Sequence, residues 1–345
     1  MRVLVTGLGT MWGSRLAQAL EREPSVELVV GVDTHEPCLP LETTEFVRTD
    51  SSYSILQRIV RATQVDTIVH LHLITDSSTA GGRAMHEVNV IGTSSLLAAA
   101  AAAGGCVRKI IVKSSTLVYG SNFDDPYFFR EDTSRKHKPH SRLERSLVEA
   151  EDIVADFAED DRRVAVTRLR FADVLGEQLE SPLARLLRMP VVPEVLGFDP
   201  RLQVVHEDDA IASLVHATLN QVPGAYNIAA DGVLPWSELC AIAGKRRVPL
   251  PPLFTGWFTE PLRALGLVRI PPEILSLIRY GRAVDNTRFQ RTGFRYEHST
   301  ASAVEALAQA LRLRAGFGER VPTYKYERDV ETFFRHSPAV VRERE

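Results

Sequence analysis

The sequence predicts an α/β fold, a doubly wound parallel sheet followed by a smaller C-terminal lobe. Three observations carry that expectation. Short apolar, β-branched runs alternate with stretches of helical spacing through the first half of the chain. The links between runs are too long for hairpins, so the strands must lie parallel, with helices on both faces. The first run also opens into a glycine-punctuated turn that leads directly into a helix.

Taken in order, residues 1–6 form a strand on the apolar Val3, Leu4 and Val5. Gly7, Gly9 and Gly13 mark the turn, with Thr10 between them, and residues 14–21 place Leu16, Ala17 and Leu20 on one helical face. A second strand over 26–32 ends at Asp33, and a third over 45–49 ends at Asp50. Helical spacing over 55–62 precedes a fourth strand at 66–71. A long helix over 85–103 ends in an alanine run that Gly104 and Gly105 stop. The fifth strand (108–113) runs into SSTLVYG, a helix covers 143–157, and a sixth strand covers 163–169. Beyond Phe171 frequent prolines break the rhythm. The expected division is a Rossmann-type dinucleotide-binding domain over 1–174, a substrate lobe over 175–315 partly returning to the main sheet, and a C-terminal extension over 316–345. The apolar, proline-interrupted stretch 250–278 reads as helical core, as a cleft wall or as a partner surface.

With 345 residues, 44% apolar and 25% charged, the composition is that of an ordinary globular protein. A net charge of −3 gives no electrostatic reason to expect nucleic acid or a membrane surface as partner. Cys38, Cys106 and Cys240 are odd in number and far apart, which suggests neither a disulfide framework nor a metal-ligand spacing and fits a reducing cytoplasm. No run reaches the ~18 apolar residues of a membrane span, and the chain enters a strand too early for a signal peptide.

A strand, a glycine turn, a helix and a second strand ending in an acid make a dinucleotide site. The glycines admit the backbone to a pyrophosphate at the helix N-terminus, and Asp33 accepts from the adenosine ribose. GLGTMWG has the spacing GxGxxxG rather than GxGxxG, so a tight turn without a ligand stands as the alternative.

Further stretches then fall in a recognisable order: VLVTGLGTMWG, VHLHL, NVIGT, KSSTLVYG, LRFADVLG, VVHEDDA, YNIAADG and DNTRF. Together with Asp33 they resemble the extended short-chain dehydrogenase/reductases, the NAD-dependent nucleotide-sugar epimerases and dehydratases. The resemblance runs to about Leu313. It implies that Gly7 and Gly13 flank the pyrophosphate and that Asp50 contacts the adenine edge. His70, Leu71 and His72 would stand beside the cofactor, with His72 and Leu73 bulkier than the pattern. Asn89 would steady the backbone nearby, and Ser115 would hydrogen-bond the reacting substrate oxygen, unless it only caps a strand end. No arginine or lysine occupies positions 34–36, so NAD is favoured over NADP. Asp173 stands where the family has an asparagine near the substrate phosphates, and an aspartate there argues against an ordinary diphosphate. Arg279, Arg282 and Arg288 are candidates to offset it or to pair with acids such as Asp285. The HEDDA stretch at 206–210 reads as a helix cap tying the lobes, not as a metal site. A homodimer through the 85–103 helix, on its small-residue face, is also implied.

One departure matters most. The family's chemistry uses a tyrosine and a lysine four residues later, on the helix after SSTLVYG. Here His140 and Glu144 stand in those places, or Ser141 and Arg145 one residue on. No tyrosine lies between Tyr127 and Tyr226, and no lysine between Lys138 and Lys245. His140 is a candidate acid/base on its ordinary pKa, Arg142 or Arg145 a candidate charge, and Tyr119 or Tyr127 a candidate swung in from the loop. Against them stands a merely solvated helix start. Two functions follow: an NAD-dependent epimerase, dehydratase or dehydrogenase of a nucleotide sugar or similar hydroxylated substrate, or an NAD-binding protein without that catalysis, acting as sensor or assembly partner.

Overall fold

The structure, a computed structural model, describes residues 1–50, 52–251 and 271–317, and for 314–317 the backbone alone. Most of the apolar 250–278 stretch and nearly all of the extension at 316–345 lie outside the described residues.

The N-terminal part runs β1 (Arg2–Thr6), α1 (Met11–Glu21), β2 (Leu28–Asp33), β3 (Glu45–Arg48), α2 (Tyr53–Thr63) and β4 (Thr67–His70). Next come α3 (Gly82–His86), a π-helical turn (Glu87–Gly92), α4 (Thr93–Ala101), β5 (Lys109–Ser115), α5 (Arg142–Asp160) and β6 (Ala165–Phe171). The chain continues through β7 (Asp173–Leu175), α6 (Pro182–Arg188), β8 (Val191–Val195), β9 (Arg201–Leu202), β10 (Val204–His206), α7 (Glu207–Leu219) and β11 (Gly224–Ile228). Among the remaining described elements are α8 (Trp236–Ile242), α9 (Pro272–Tyr280), α10 (Thr287–Gln290) and α11 (Thr300–Phe317).

Seven strands form one sheet in the order β11-β6-β5-β4-β1-β2-β3, and every pairing in it is parallel. The strand order reverses between β1 and β4, which opens a crevice at their C-terminal ends. Alternate residues of each strand face opposite sides. Val3 and Val5 therefore join Leu16, Leu20 and Leu214 under α1 and α7, while Leu4 joins Leu56, Leu96 and Val154 under α2, α4 and α5. A separate cluster of Leu183, Trp236, Ile278 and Val304 holds the C-terminal lobe together. The lobe's return to the main sheet is β11, which pairs along β6.

Two helices differ instructively from expectation. The long helix starts earlier than 85 and contains a π-helical turn in mid-course, a feature often found at functional sites. Its alanines are divided between two faces: Ala99, Ala100 and Ala103 are buried in the core with Leu56 and Val60 of α2, while Ala98 and Ala101 are exposed. Helix α5 opens on a capping box, in which the Ser141 hydroxyl accepts from Glu144 N at 3.1 Å and the Glu144 carboxylate accepts from His140 N at 3.1 Å.

The tightest backbone approach at a described glycine is where β1 meets α1. A Cβ on Gly13 would lie 2.2 Å from the Gly7 carbonyl oxygen, a backbone atom that cannot move aside. Gly13→Ala should therefore cost about 3 kcal/mol, read as a lowered denaturation midpoint in urea.

Candidate active site

The crevice at the switch point is framed by the glycine turn. Gly7 has φ +77, and a Cβ there would come 3.1 Å from His72 N. On Gly9 a Cβ would lie 2.5 Å from the His35 carbonyl. All three glycines are thus required by the protein's own backbone, independently of any ligand. Thr10 caps α1: its hydroxyl donates to Gly7 O at 2.7 Å and accepts from Gly13 N at 3.1 Å. Met11 and Trp12, the first two residues of α1, have no preceding turn to accept their N–H groups. Asp33 lies at the end of β2 and accepts from Gly9 N and His35 N, each at 3.0 Å. The Thr34 hydroxyl adds a longer bond at 3.3 Å. A carboxylate has about four acceptor positions, so Asp33 can still accept from one further hydroxyl.

Other positions read as cofactor contacts also have duties within the fold. His70 is buried, with Nδ1 2.7 Å from the Thr6 hydroxyl and Nε2 3.0 Å from that of Thr93. Both ring nitrogens are taken, and burial pushes its pKa down to about 3. It pins β1 and β4 to α4 as a neutral ring, and Leu71 beside it is core. His72 is only partly buried, and desolvation lowers its pKa while Asp33 pulls it up. Asn89, in the π-helical turn, is fully buried. It accepts from Ile74 N at 2.7 Å and donates to Ile74 O at 2.9 Å, so it shapes the chain after β4 and touches no open space. Asp50 is exposed and accepts from Ser52 N at 3.2 Å.

Beyond the turn, the C-terminal ends of β5 and β6 face the C-terminal lobe across a cavity of about 60 Å³. Its polar lining includes Lys113, Ser115, Asp173, Glu273 and Arg282, and Trp12 forms one wall. The Ser115 hydroxyl accepts from Leu117 N at 3.2 Å, capping a 3-10 turn. Its proton stays available to donate, so the cap and a substrate contact are compatible. Arg282 reaches Asp173 at 3.5 Å and donates to the Thr116 hydroxyl at 3.0 Å. Burial raises the Asp173 pKa while Arg282 lowers it. Glu273 accepts from Ser77 N through Oε1 and leaves Oε2 buried without a partner among the described residues.

Lys113, which the sequence reading passed over, is the unexpected member. Strand β5 is buried along its whole length, and the Lys113 ammonium lies 4.8 Å from the centre of the Trp12 ring. Among the described residues it has no hydrogen bond or ion pair, and burial lowers its pKa to about 8. The available signal was a lysine inside an otherwise apolar strand.

The replacements considered for the missing pair do not line this cavity. His140 is exposed and held by Asn122 at 2.9 Å, and it does not line the cavity. Glu144 is committed to the capping box and to Arg135. Tyr119 is buried, donates to Asn227 Oδ1 at 2.8 Å and accepts from Arg170 at 2.8 Å. Desolvation pushes its pKa up to about 12. Tyr127 is exposed, under the Arg201 guanidinium. Arg170 is tied to the buried Glu151 at 2.5 Å, and Arg288 sits over Tyr226, away from the cavity.

The HEDDA stretch caps and ties. His206 caps α7, Glu207 accepts from Glu177, Gln178 and Leu179 N, and Asp209 accepts from Glu297 and His298 N. The fold also brings His298 against His206, with ring centres 3.9 Å apart and Asp208 nearby, a grouping invisible in the sequence. Arg15 already occupies Asp208 at 2.5 Å.

Residues 3–229 match the model of the NAD dependent epimerase/dehydratase family. An uncharacterised protein of Mycobacterium tuberculosis is 33% identical over 310 residues, covering 88% of this chain and 82% of that protein. Among solved structures, UDP-glucuronic acid 4-epimerase from Bacillus cereus in complex with NAD aligns with a TM-score of 0.69 at 18% identity, covering 91% of this chain and 99% of that one. UDP-glucose 4-epimerase from Thermotoga maritima with UDP-glucose aligns with 0.70 at 19%, covering 91% and 100%. At these identities the structural likeness speaks to the fold.

Two titrations follow from the burial. His70 has a lower pKa folded than unfolded, so its contribution is complete above pH 6.5 and is lost as the pH falls. By pH 5 the loss is about 2 kcal/mol, and His70→Gln should flatten the dependence of melting temperature on pH over that range. The Lys113 ammonium is disfavoured in the fold, which costs about 3 kcal/mol at pH 7 and is relieved as pH rises from about 8 to about 10.4. Lys113→Met should therefore be more stable than the parent at pH 7, and the gap should close in alkaline denaturation series.

Proposed function

We propose, for a chain that belongs to the NAD dependent epimerase/dehydratase family, that it binds NAD along the glycine turn and oxidises or epimerises a nucleotide sugar or related hydroxylated substrate in the adjoining cavity. The observation that carries this reading is the position of that cavity. It opens at the ends of β5 and β6, with Trp12 of the α1 N-terminus as one wall and the Ser115 hydroxyl in its lining.

The residues present fit the cofactor. The Met11 and Trp12 N–H groups at the start of α1 suit a pyrophosphate, and Asp33 keeps an acceptor position for a ribose hydroxyl. The arginine nearest that corner, Arg48, is paired with Glu36 at 2.7 Å, and an acid there disfavours a 2′-phosphate. When bound, NAD supplies a hydride acceptor. The chain's own part is to orient the substrate oxygen through Ser115 and to hold Arg282 and Asp173 as a near-neutral pair beside it. That pairing suits the hydroxyls of a sugar better than a bare diphosphate. Assembly as a homodimer is part of the same proposal, with Ile91 as a group the 82–101 helix still presents outward.

A second reading has a specific observation in its favour. The places where the family keeps its tyrosine and lysine are filled by the capping box of α5, so a chain that binds NAD without that chemistry would look like this at the helix start. A panel of UDP- and dTDP-sugars, incubated with NAD and followed by chromatography for new products, decides between them. Turnover of at least one sugar is expected. Ser115→Ala should lower it roughly 100-fold, and His140→Ala should leave it unchanged. NAD binding with no product from any sugar selects the second reading.

A further inference from the structure

We propose that Lys113 is the proton-transfer residue of this site, its side-chain amine doing at the substrate oxygen what the absent tyrosine does elsewhere in the family. The inference rests on the function proposed above and adds a residue that no motif assigns.

Position comes first. Lys113 and Ser115 are two apart on β5, so their side chains leave the same face of the sheet, about 7 Å apart along the strand. Both line the same cavity, which also contains Asp173 and Arg282. An amine on a flexible four-carbon stem can therefore reach an oxygen held by the Ser115 hydroxyl.

Chemistry comes second. Lysine is almost never fully buried unless it is paired, and Lys113 is 5% exposed. The charged groups around it are accounted for. His70 and His72 at the end of β4 are both held toward the neutral form by burial. Across the cavity Asp173 pairs with Arg282, and Asp76 pairs with Arg185. Glu180 pairs with Arg188, and Glu273 accepts from Ser77 N through Oε1, its Oε2 having no partner among the described residues. None of these carboxylates pairs with Lys113 among the described residues, and the face of Trp12 gives the cation only partial compensation. A residue kept merely for folding would be apolar here, as Ile111 is on the same face. An unpaired amine whose pKa lies near 8 is instead poised to exchange a proton near neutrality.

The step balances simply. The neutral amine takes the proton of a substrate carbinol: the O–H bond breaks, an N–H bond forms on Nζ, and the carbinol C–H pair leaves as hydride to the nicotinamide of NAD. A carbonyl results. In the return direction the ammonium gives the proton back as hydride is delivered.

The test begins without cofactor or substrate. The chain has six lysines, few enough for their side-chain nitrogens to be followed by NMR as pH is raised, with Lys113→Met identifying the signal. A midpoint near 8 is expected for Lys113. In the active protein, Lys113→Ala should lower turnover roughly 1000-fold without weakening NAD binding, and added primary amines such as methylamine should restore part of the rate. A purely structural lysine would give no such rescue. A Lys113 midpoint above 10, a Lys113→Ala enzyme at the parent rate, or a slow variant that amines do not restore overturns the assignment alone. A protein that turns over no sugar while Lys113 titrates near 8 overturns the proposed function, and the catalytic assignment with it.

Discussion

The closest backbone approach at any described glycine is that of Gly13 to the Gly7 carbonyl, where a single methyl group would intrude to 2.2 Å. Because no side chain separates them, α1 begins directly over the end of β1 and points its first N–H groups into the crevice between β1 and β4. Trp12 is thereby placed against Phe171, with ring centres 5.1 Å apart, and beneath the Lys113 ammonium. Asp33 completes the corner by accepting from Gly9 N. The dinucleotide end and the cavity end of the site are both set from this one point of close packing.

The cavity end and the start of α5 have different duties in this fold. At the start of α5, Ser141 and Glu144 satisfy backbone N–H groups, and Glu144 also takes Arg135. These interactions fix the helix terminus, and none of these three residues lines the cavity. On the other side of β5, the Lys113 cation is buried without a counter-ion among the described residues. That arrangement is unfavourable for stability and useful for exchanging protons, and the two properties have the same cause, the loss of hydration.

Much of the fold was legible because strand and helix periodicities are strong in this chain. The glycine turn, Asp33 at the end of β2 and the parallel sheet follow from local patterns, and the capping role of the 206–210 stretch follows from the family resemblance. The parts that were not legible depend on contacts distant in sequence. His70 reads as a cofactor neighbour until Thr6 and Thr93 are seen to take both of its nitrogens. Tyr119 reads as a spare phenol until Arg170 and Asn227 enclose it. The alanine run reads as a single small-residue face, yet Ala99, Ala100 and Ala103 are packed against α2 and only Ala98 and Ala101 are exposed. Lys113 carries no motif, and its significance lies in the absence of a partner, which only the three-dimensional neighbourhood can show.

The central claim is that the N-terminus of α1 and Asp33 hold a nicotinamide dinucleotide, and calorimetric titration of the protein with NAD and with NADP, after removal of any co-purified nucleotide, tests it most directly. The account predicts saturable binding of NAD, weaker binding of NADP, and loss of that preference in Asp33→Asn. No heat with either nucleotide up to millimolar concentration, or equal binding of both by the parent protein, would contradict it.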